Sequence, residues 1–488
     1  MKGPLPPPSA TGVRIAGDRF QWLVAWEACV AALLDAAKGA DNPIVGVGVE
    51  VHGVGNLDDV VIHRGRPPHT YKQVKYAVDS TTPVNTAYLT DPSSSGGPSI
   101  LAKIATTWKA LRVAEELMEL AIVTNRQTDH RDLLVAGRDS RTRLLVPRAA
   151  EGGPLSAKGR ARARWASAAS LSGADLLGLL AVLQFDLGLD PERLEQVVSL
   201  EMTIAGLRGD SAAISSGIDF VVEQVVAGRR EITLSAIQEA IEARGLRVDN
   251  ARAIVSIATL LPDPLARHAL YAIDWVDRFE GEDANLKRRP RPPATWAELQ
   301  AEIQAIPSQL GSVKRVVVTG SMRLAPAFAV GAALRMVTGV DVAAVQRGEL
   351  WRSDASYAEP TTPVATDRAI DQGEDLAVAI EVSAPIADDV TAWIRDRALP
   401  VSRLVVLGPV GGPRDNAVAG AEEACALAIG MRNAVRQQVK GHRRIHLFIA
   451  APMGLALLLG HRWNRVAPTV VYEDLAALGY EAAFSVNS

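Results

Sequence analysis

Between Asp58 and Lys75 the chain carries two adjacent aspartates, a turn-rich segment and the alternation Gln73-Val74-Lys75. In an extended strand, residues two apart share a face, so Gln73 and Lys75 point together while Val74 enters the core. If the strands flanking Arg64-Gly65-Arg66-Pro67-Pro68 form a hairpin, Asp58 or Asp59 comes close to that shared face. A one-residue slip exchanges the two aspartates, so the sequence leaves the choice between them open. A carboxylate, a second oxygen ligand and a lysine are what phosphodiester hydrolysis needs. The oxygens hold Mg²⁺ (or Mn²⁺), which polarises the phosphate and lowers the pKa of a water. The lysine orients that water and offsets transition-state charge.

A second group of residues lies where apolar strands run into helices after residue 296. Arg315 to Thr319 leads through Gly320-Ser321-Met322-Arg323 into a helix near Pro326. Leu376 to Val382 leads through Ser383-Ala384 to a helix opening at Pro385, and Ile445 to Ala450 leads to one opening at Pro452. Leu404 to Leu407 leads into a long helix around Ala417 to Val435. Proline is favoured at the first helical position. Loops at strand carboxyl ends beside helix N-termini suit an anionic nucleotide. Arg323 is a candidate phosphate contact, Ser321 and Ser383 candidate donors, Trp351 or Tyr472 candidate stacking platforms, and Pro452 a candidate contact at its helix start. His442 and His446 bracket a strand start and are not read as a metal pair. No Gly-rich, Lys-Ser/Thr phosphate loop is present, which argues against an NTPase.

The elements that must position these groups fall into three regions. Residues 1–150 alternate helix and strand: a helix over Phe20–Ala37, then strands over Pro43–Val51, Asp59–His63 and Thr70–Tyr76. A helix with apolar residues at Ile100, Ile104, Trp108, Leu111 and Leu117 follows, then strand material at Glu119–Thr124 and Asp132–Ala136. Residues 151–295 show helical periodicity, with Asp190 capping Pro191-Glu192, and read as a helical connector. Lys287-Arg288-Arg289-Pro290-Arg291-Pro292-Pro293 reads as a solvated hinge, with a DNA-phosphate contact as the alternative. Residues 296–488 alternate strand and helix, which implies a mainly parallel sheet with covering helices. The predicted fold is therefore a multidomain α/β chain.

Composition agrees. The 488 residues are 48% hydrophobic and 22% charged, an ordinary globular balance. A formal charge of −3, from 52 Lys+Arg against 55 Asp+Glu, excludes a uniformly basic nucleic-acid-coating protein. Cys29 and Cys425, far apart, exclude a disulfide framework and a four-thiolate zinc site. Met1–Pro8 is unlike a secretory signal, and no apolar run approaches the roughly 20 residues needed to span a bilayer. A cytoplasmic protein without a membrane role is expected.

The order of a helix bearing Gln21, a strand ending at Glu50, Asp58-Asp59 and Gln73-Val74-Lys75 resembles the PD-(D/E)xK nuclease superfamily in its Gln-x-Lys variant. The resemblance implies a restriction-endonuclease-like core with Lys75 catalytic. It also implies Asp59 (or Asp58) and the Gln73 oxygen as metal ligands, with Glu50 as an additional acidic ligand. Glu27 competes with Glu50 and ranks below it. Lys103, Lys109 and Arg112, on one helix, could meet DNA phosphates. His52, His63 and His69 fit no zinc set.

The segment Ile445 to Ala456, continuing to Gly460 and Val470-Val471-Tyr472-Glu473, resembles the close of SAVED domains, in which two CARF-like, Rossmann-type halves are fused. Val316 to Leu324 would open the first half. A nuclease followed by SAVED is the architecture of CBASS antiphage effector endonucleases. That resemblance implies degradation of double-stranded DNA once a cyclic trinucleotide, made by a partner nucleotidyltransferase, binds and drives homo-oligomerisation. A constitutive restriction-type nuclease and a non-catalytic nucleotide-sensing scaffold remain as alternatives.

Overall fold

Two α/β units follow one another along the chain, Met1–Ala251 and Arg252–Ser488. The computed structural model describes residues 9–93, 96–114 and 117–487. Met1–Pro8, read above as unlike a secretory signal, lies outside them.

The first unit runs α1 (Ala10–Ala37), β1 (Ile44–Val49), β2 (Val60–Arg64), β3 (His69–Lys75), α2 (Thr86–Thr90), α3 (Ile100–Ala114) and β4 (Met118–Thr124). It continues through α4 (Ala157–Ala168), α5 (Gly173–Leu180), β5 (Leu183–Leu187), α6 (Pro191–Ile204), α7 (Ser211–Val226), β6 (Glu231–Thr233) and α8 (Leu234–Ala243). One sheet of order β5-β4-β3-β2-β1-β6 organises it. β1, β2 and β3 are antiparallel neighbours, whereas β3, β4 and β5 are parallel. One sheet face carries Val61, Tyr71, Leu120 and Ile122 into a core with Ile104 and Trp108 of α3, Trp165 of α4 and Leu179 of α5. The opposite face carries Lys72, whose Nζ lies 3.6 Å from Glu27 of α1.

Helix α1 starts where the Ser9 hydroxyl accepts from Gly12 N–H at 3.1 Å. It is long and apolar enough to cross a membrane by length and composition, which the sequence reading did not register, but 72% of its most apolar window is buried inside the unit. A helix apolar on all sides is what a packed core surrounds.

Two expectations change here. Asp132–Ala136 is no strand. The Asp132 carboxylate accepts from Leu134 and Val135 N–H, both at 2.9 Å, and from Thr86 N–H at 2.7 Å. Such local capture offers the backbone an alternative to a ladder. Nor is 151–295 a separate helical connector. Its first part contributes β5, paired with β4, and β6, paired with β1, so the first unit's sheet is closed by it. Its last part contributes two strands to the second unit. The cap Asp190 does start α6, accepting from Arg193 N–H at 2.8 Å.

The second unit contains β7 (Ala253–Ala258), β8 (Ala269–Asp274), α9 (Trp296–Leu310), β9 (Arg315–Thr319), α10 (Leu324–Ala333), β10 (Asp341–Gln346) and β11 (Glu349–Arg352). Then come β12 (Val364–Ala369), β13 (Asp375–Glu381), α11 (Ala387–Asp396), β14 (Val401–Gly408), α12 (Ala421–Gln438), β15 (Ile445–Ala450), α13 (Met453–Arg462), β16 (Thr469–Asp474) and β17 (Tyr480–Val486). They form two sheets, β11-β10-β9-β7-β8 and β12-β14-β13-β15-β16-β17. The inner strands are parallel and the edges β11, β12 and β17 antiparallel. The predicted alternation is therefore realised as two α/β halves.

The Lys-Arg-Arg-Pro run is not a hinge. Lys287 is 5% exposed and donates to the Val276 and Gly281 carbonyls at 2.5 and 3.1 Å. Phe279 and Pro290 form a β-bridge, and Arg289 pairs with Glu280 at 2.9 Å. Backbone carbonyls and carboxylates elsewhere in the unit absorb Lys287, Arg289 and Arg291, a pairing that composition does not reveal.

The halves meet where α10 crosses α13. A Cβ on Gly331 would lie 2.0 Å from Leu457 O, and one on Gly460 2.1 Å from Phe328 O. The helices touch backbone to backbone, and only glycine leaves room. Gly460→Ala is expected to lower stability by about 1–3 kcal/mol, as overpacking does; a urea midpoint equal to wild type would refute this close crossing.

Candidate functional site

In the first unit the hairpin register decides the chemistry. Val60 pairs with Lys72, so the next step outward sets Asp59 opposite Gln73. Directly opposed residues share a face, and Lys75, two further along, shares it too. The Asp59 carboxylate Oδ2 accepts from Val74 N–H at 2.7 Å and from the Gln73 amide, with Lys75 Nζ at 3.9 Å. Gln21 Nε2 of α1 donates to the Asp59 carbonyl at 3.4 Å. Asp59, Gln73 and Lys75 are thus brought together on one face, and it is Asp59 rather than Asp58 that stands beside Gln73 and Lys75.

Asp58 and Glu50 do not join them. The Asp58 carbonyl accepts from Val51 N–H at 3.0 Å, and no contact links its side chain to Gln73 or Lys75. Glu50 follows β1 with φ of 51°, and its carboxylate accepts from Arg230 Nη1 at 2.8 Å, which also holds its carbonyl. Among the described residues no group of three or more His, Cys, Asp or Glu side chains could hold a metal, so the expected set of Glu50, Asp58 and Asp59 is not assembled. Arg230 precedes β6, and only the long-range pairing of β6 with β1 brings it there. Glu27 lies on the opposite sheet face, beside Lys72. Two of the α3 cations serve their own unit: Lys109 donates to Ser170 O at 2.8 Å, and Arg112 pairs with Asp175 at 3.3 Å.

Burial pushes the Asp59 carboxyl above its ordinary range, against the opposing pull of Lys75, Val74 N–H and Gln73. A desolvated carboxylate fits a Mg²⁺ ion, which takes one or two carboxylates and keeps several waters, although Gln73 here turns its amide N–H, not its oxygen, towards Asp59. Asp59 would be one oxygen donor to such an ion, and Gln73 a second only with its amide turned over.

In the second unit, a cavity of about 270 Å³ lies at the carboxyl ends of β9, β15 and β16, lined in part by Leu260, Arg288, Arg323, Ile449, Glu473 and Tyr480. Arg323 Nε donates to Glu473 at 2.9 Å and its Nη2 to the Asp474 carbonyl at 2.7 Å. Glu473, 2% exposed, also accepts from Ala325 N–H in the first turn of α10 at 2.9 Å. Burial raises the Glu473 pKa, opposed chiefly by Arg323.

Of the six residues expected to meet a nucleotide, only Arg323 lines this cavity. Trp351 is 1% exposed and packs beside Gly454 of α13, so it is core and no stacking platform. Its polar neighbours Glu349 and Arg352 obscured the inward phase of β11. Tyr472, 7% exposed, stacks on Phe448 with centroids 4.6 Å apart and hydrogen-bonds His446 at 2.9 Å. It too is core. Pro452 caps α13 with ψ of 141°, its carbonyl accepting from Ala456 N–H at 3.1 Å. Ser383 N–H donates to Ala450 O at 2.9 Å, and the Ser321 carbonyl accepts from Thr259 and Leu260 N–H at 2.9 and 3.0 Å. Both serines act through backbone as strand-end ties. Arg288 and Tyr480 were missed; for Arg288 the only signal was its place in the basic run.

Residues 299–486 match the family model of SAVED, the SMODS-associated and fused to various effectors sensor domain. No curated protein matches the chain by sequence. Among solved structures, it is similar to the Acinetobacter baumannii Cap4 SAVED/CARF-domain containing receptor with the cyclic trinucleotide 2′3′3′-cAAA, at 14% identity and a TM-score of 0.43, over 99% of this chain and 100% of that one. The same receptor with 3′3′3′-cAAA gives 15% and 0.42 over 99% and 100%. The Moraxella osloensis Cap4 SAVED/CARF-domain containing receptor gives 15% and 0.42 over 96% and 99%. From residue 299 to 486, then, the chain is similar to SAVED sensor domains.

The raised Asp59 pKa makes a stability statement. The folded state favours the protonated carboxyl, so its relative stability is fullest below the unfolded pKa and declines as pH rises through the folded one. Asp59→Asn, uncharged throughout, is expected to melt higher than wild type at pH 7 and equally at pH 3.5 in thermal scans. An advantage that grows as pH falls would contradict the burial argument.

Proposed function

We propose that the chain is a cytoplasmic, metal-dependent DNA endonuclease of CBASS antiphage signalling, switched on when a cyclic trinucleotide binds its second unit. The observation that carries this reading is the cluster of Asp59, Gln73 and Lys75 on one face of a sheet, in a chain whose residues 299–486 match a sensor family fused to effectors. Asp59 and the Gln73 oxygen would hold Mg²⁺ (or Mn²⁺), which supplies polarisation of the scissile phosphate and a water of lowered pKa. Lys75 Nζ, held 3.9 Å from Asp59, stands where it can donate to the attacking water and offset charge on the phosphate. Gln21 and Val74 N–H keep Asp59 in place while it does so. The DNA substrate, the messenger-producing nucleotidyltransferase and assembly of several copies on activation belong to the same proposal. Activation requires two states with different ligand affinity, and assembly of a ligand-bound form supplies them.

Purified protein is incubated with plasmid in Mg²⁺, with and without a panel of cyclic di- and trinucleotides that includes cyclic tri-AMP. Cleavage that appears with one cyclic oligonucleotide and vanishes with a chelator is the expected result. Cleavage without any ligand would replace the proposal by a constitutive nuclease, and no cleavage with ligand bound would leave a sensing scaffold. Lys75→Ala is expected to slow cleavage by about 10²–10⁴-fold with ligand binding unchanged.

A further inference from the structure

We infer that Arg288 is the residue by which the second unit grips a phosphodiester oxygen of its ligand, in the cavity at the carboxyl ends of β9, β15 and β16. The inference rests on the sensor reading above and names the contact that reading leaves open.

Helix N-termini are the usual anion sites of such a sheet edge, because their first N–H groups lack partners. Here the chain fills them itself. Glu473 takes Ala325 N–H at the start of α10. Glu381 accepts from Ile386 and Ala387 N–H, each at 2.6 Å, at the start of α11. Gln346 accepts from Gly454 N–H at 2.9 Å in α13, and Glu423 from Ala419 N–H at 2.7 Å just before α12. A ligand phosphate arriving at α10 or α11 would meet a carboxylate.

Arg323 is committed as well. Its partner Glu473 is buried, and removing the arginine from it would leave a desolvated charge uncompensated, the costly outcome for a buried pair. The cations of the basic run divide in the same way. Lys287 is spent on carbonyls, Arg289 sits at 2.9 Å from Glu280 and 3.9 Å from Glu481, and Arg291 at 3.9 Å from Glu282. Arg288 lines the cavity and has no hydrogen-bond or ion-pair partner among the described residues.

The loop holds it ready. Glu280 N–H donates to Arg289 O at 2.9 Å and Arg291 N–H to Arg278 O at 2.7 Å, so backbone bonds pin the chain just after Arg288. A guanidinium presented from an anchored loop loses little freedom on binding. Leu260, Ile449 and Tyr480 give the same cavity an apolar lining that suits a base. Arg288 precedes the segment that matches SAVED, so this contact would be supplied by the chain's own β7–α9 region.

Full-length wild type, Arg288→Ala, Arg288→Lys and Arg323→Ala are titrated calorimetrically with cyclic tri-AMP and the rest of the panel, beside thermal melts. Arg288→Ala is expected to weaken binding about 10- to 100-fold, the range of a charge-assisted contact, at an unchanged melting temperature. Arg288→Lys should recover part of that loss, since lysine keeps the charge without the fork. Arg323→Ala should lower the melting temperature. Binding by Arg288→Ala equal to wild type overturns the assignment, as does Arg323→Ala losing binding at an unchanged melting temperature. A wild type that binds nothing in the panel overturns the sensor reading itself, and the assignment with it.

Discussion

The antiparallel register of β2 against β3 is the constraint on which the first unit's chemistry depends. With Val60 opposite Lys72, Asp59 faces Gln73 and Lys75 on one side of the sheet, while Lys72 reaches Glu27 of α1 on the other. A slip by one residue would send every side chain to the wrong face. It would part Lys72 from a glutamate that is almost fully buried, and it would bring Asp58 where Asp59 now stands. The ion pair on the α1 face thus holds the register that the opposite face uses. Parallel pairing of Lys75 with Thr124 of β4 fixes the far side of the same strand.

That arrangement sets function against stability. Asp59 sits desolvated among two N–H donors and an ammonium, and burial alone would favour its neutral form. A carboxylate held this way would gain from any cation brought beside it, because the added charge would offset the desolvation that raises its pKa.

The second unit solves a related problem in the opposite sense. Its parallel strands end beside helix N-termini that carry partial positive charge. Glu473, Glu381 and Gln346 from the strands satisfy those ends internally, and the glycines at the α10–α13 crossing let the two halves share one core. Backbone groups that would otherwise greet an anion are used for folding. A charged ligand at this edge would then have to be met by side chains rather than by backbone N–H groups.

What the sequence determined by itself was local. The C-terminal end of the first helix at Ala37, the strands around Asp59 and Gln73, and the strand-to-helix units after residue 296 appear close to their expected bounds, because period and capping act within a turn or two; the first helix nevertheless starts ten residues before the expected Phe20, at Ala10. The face shared by Gln73 and Lys75 follows from strand alternation alone. Only tertiary structure decided between Asp58 and Asp59, drew Glu50 away to Arg230, placed β5 and β6 in the first sheet, and turned Trp351 and Tyr472 inward. Most of those outcomes depend on a partner from a distant element, such as Arg230 for Glu50 180 positions on. Pairing at that separation is settled by which buried groups find one another when the sheets close, and no periodicity in the chain encodes it.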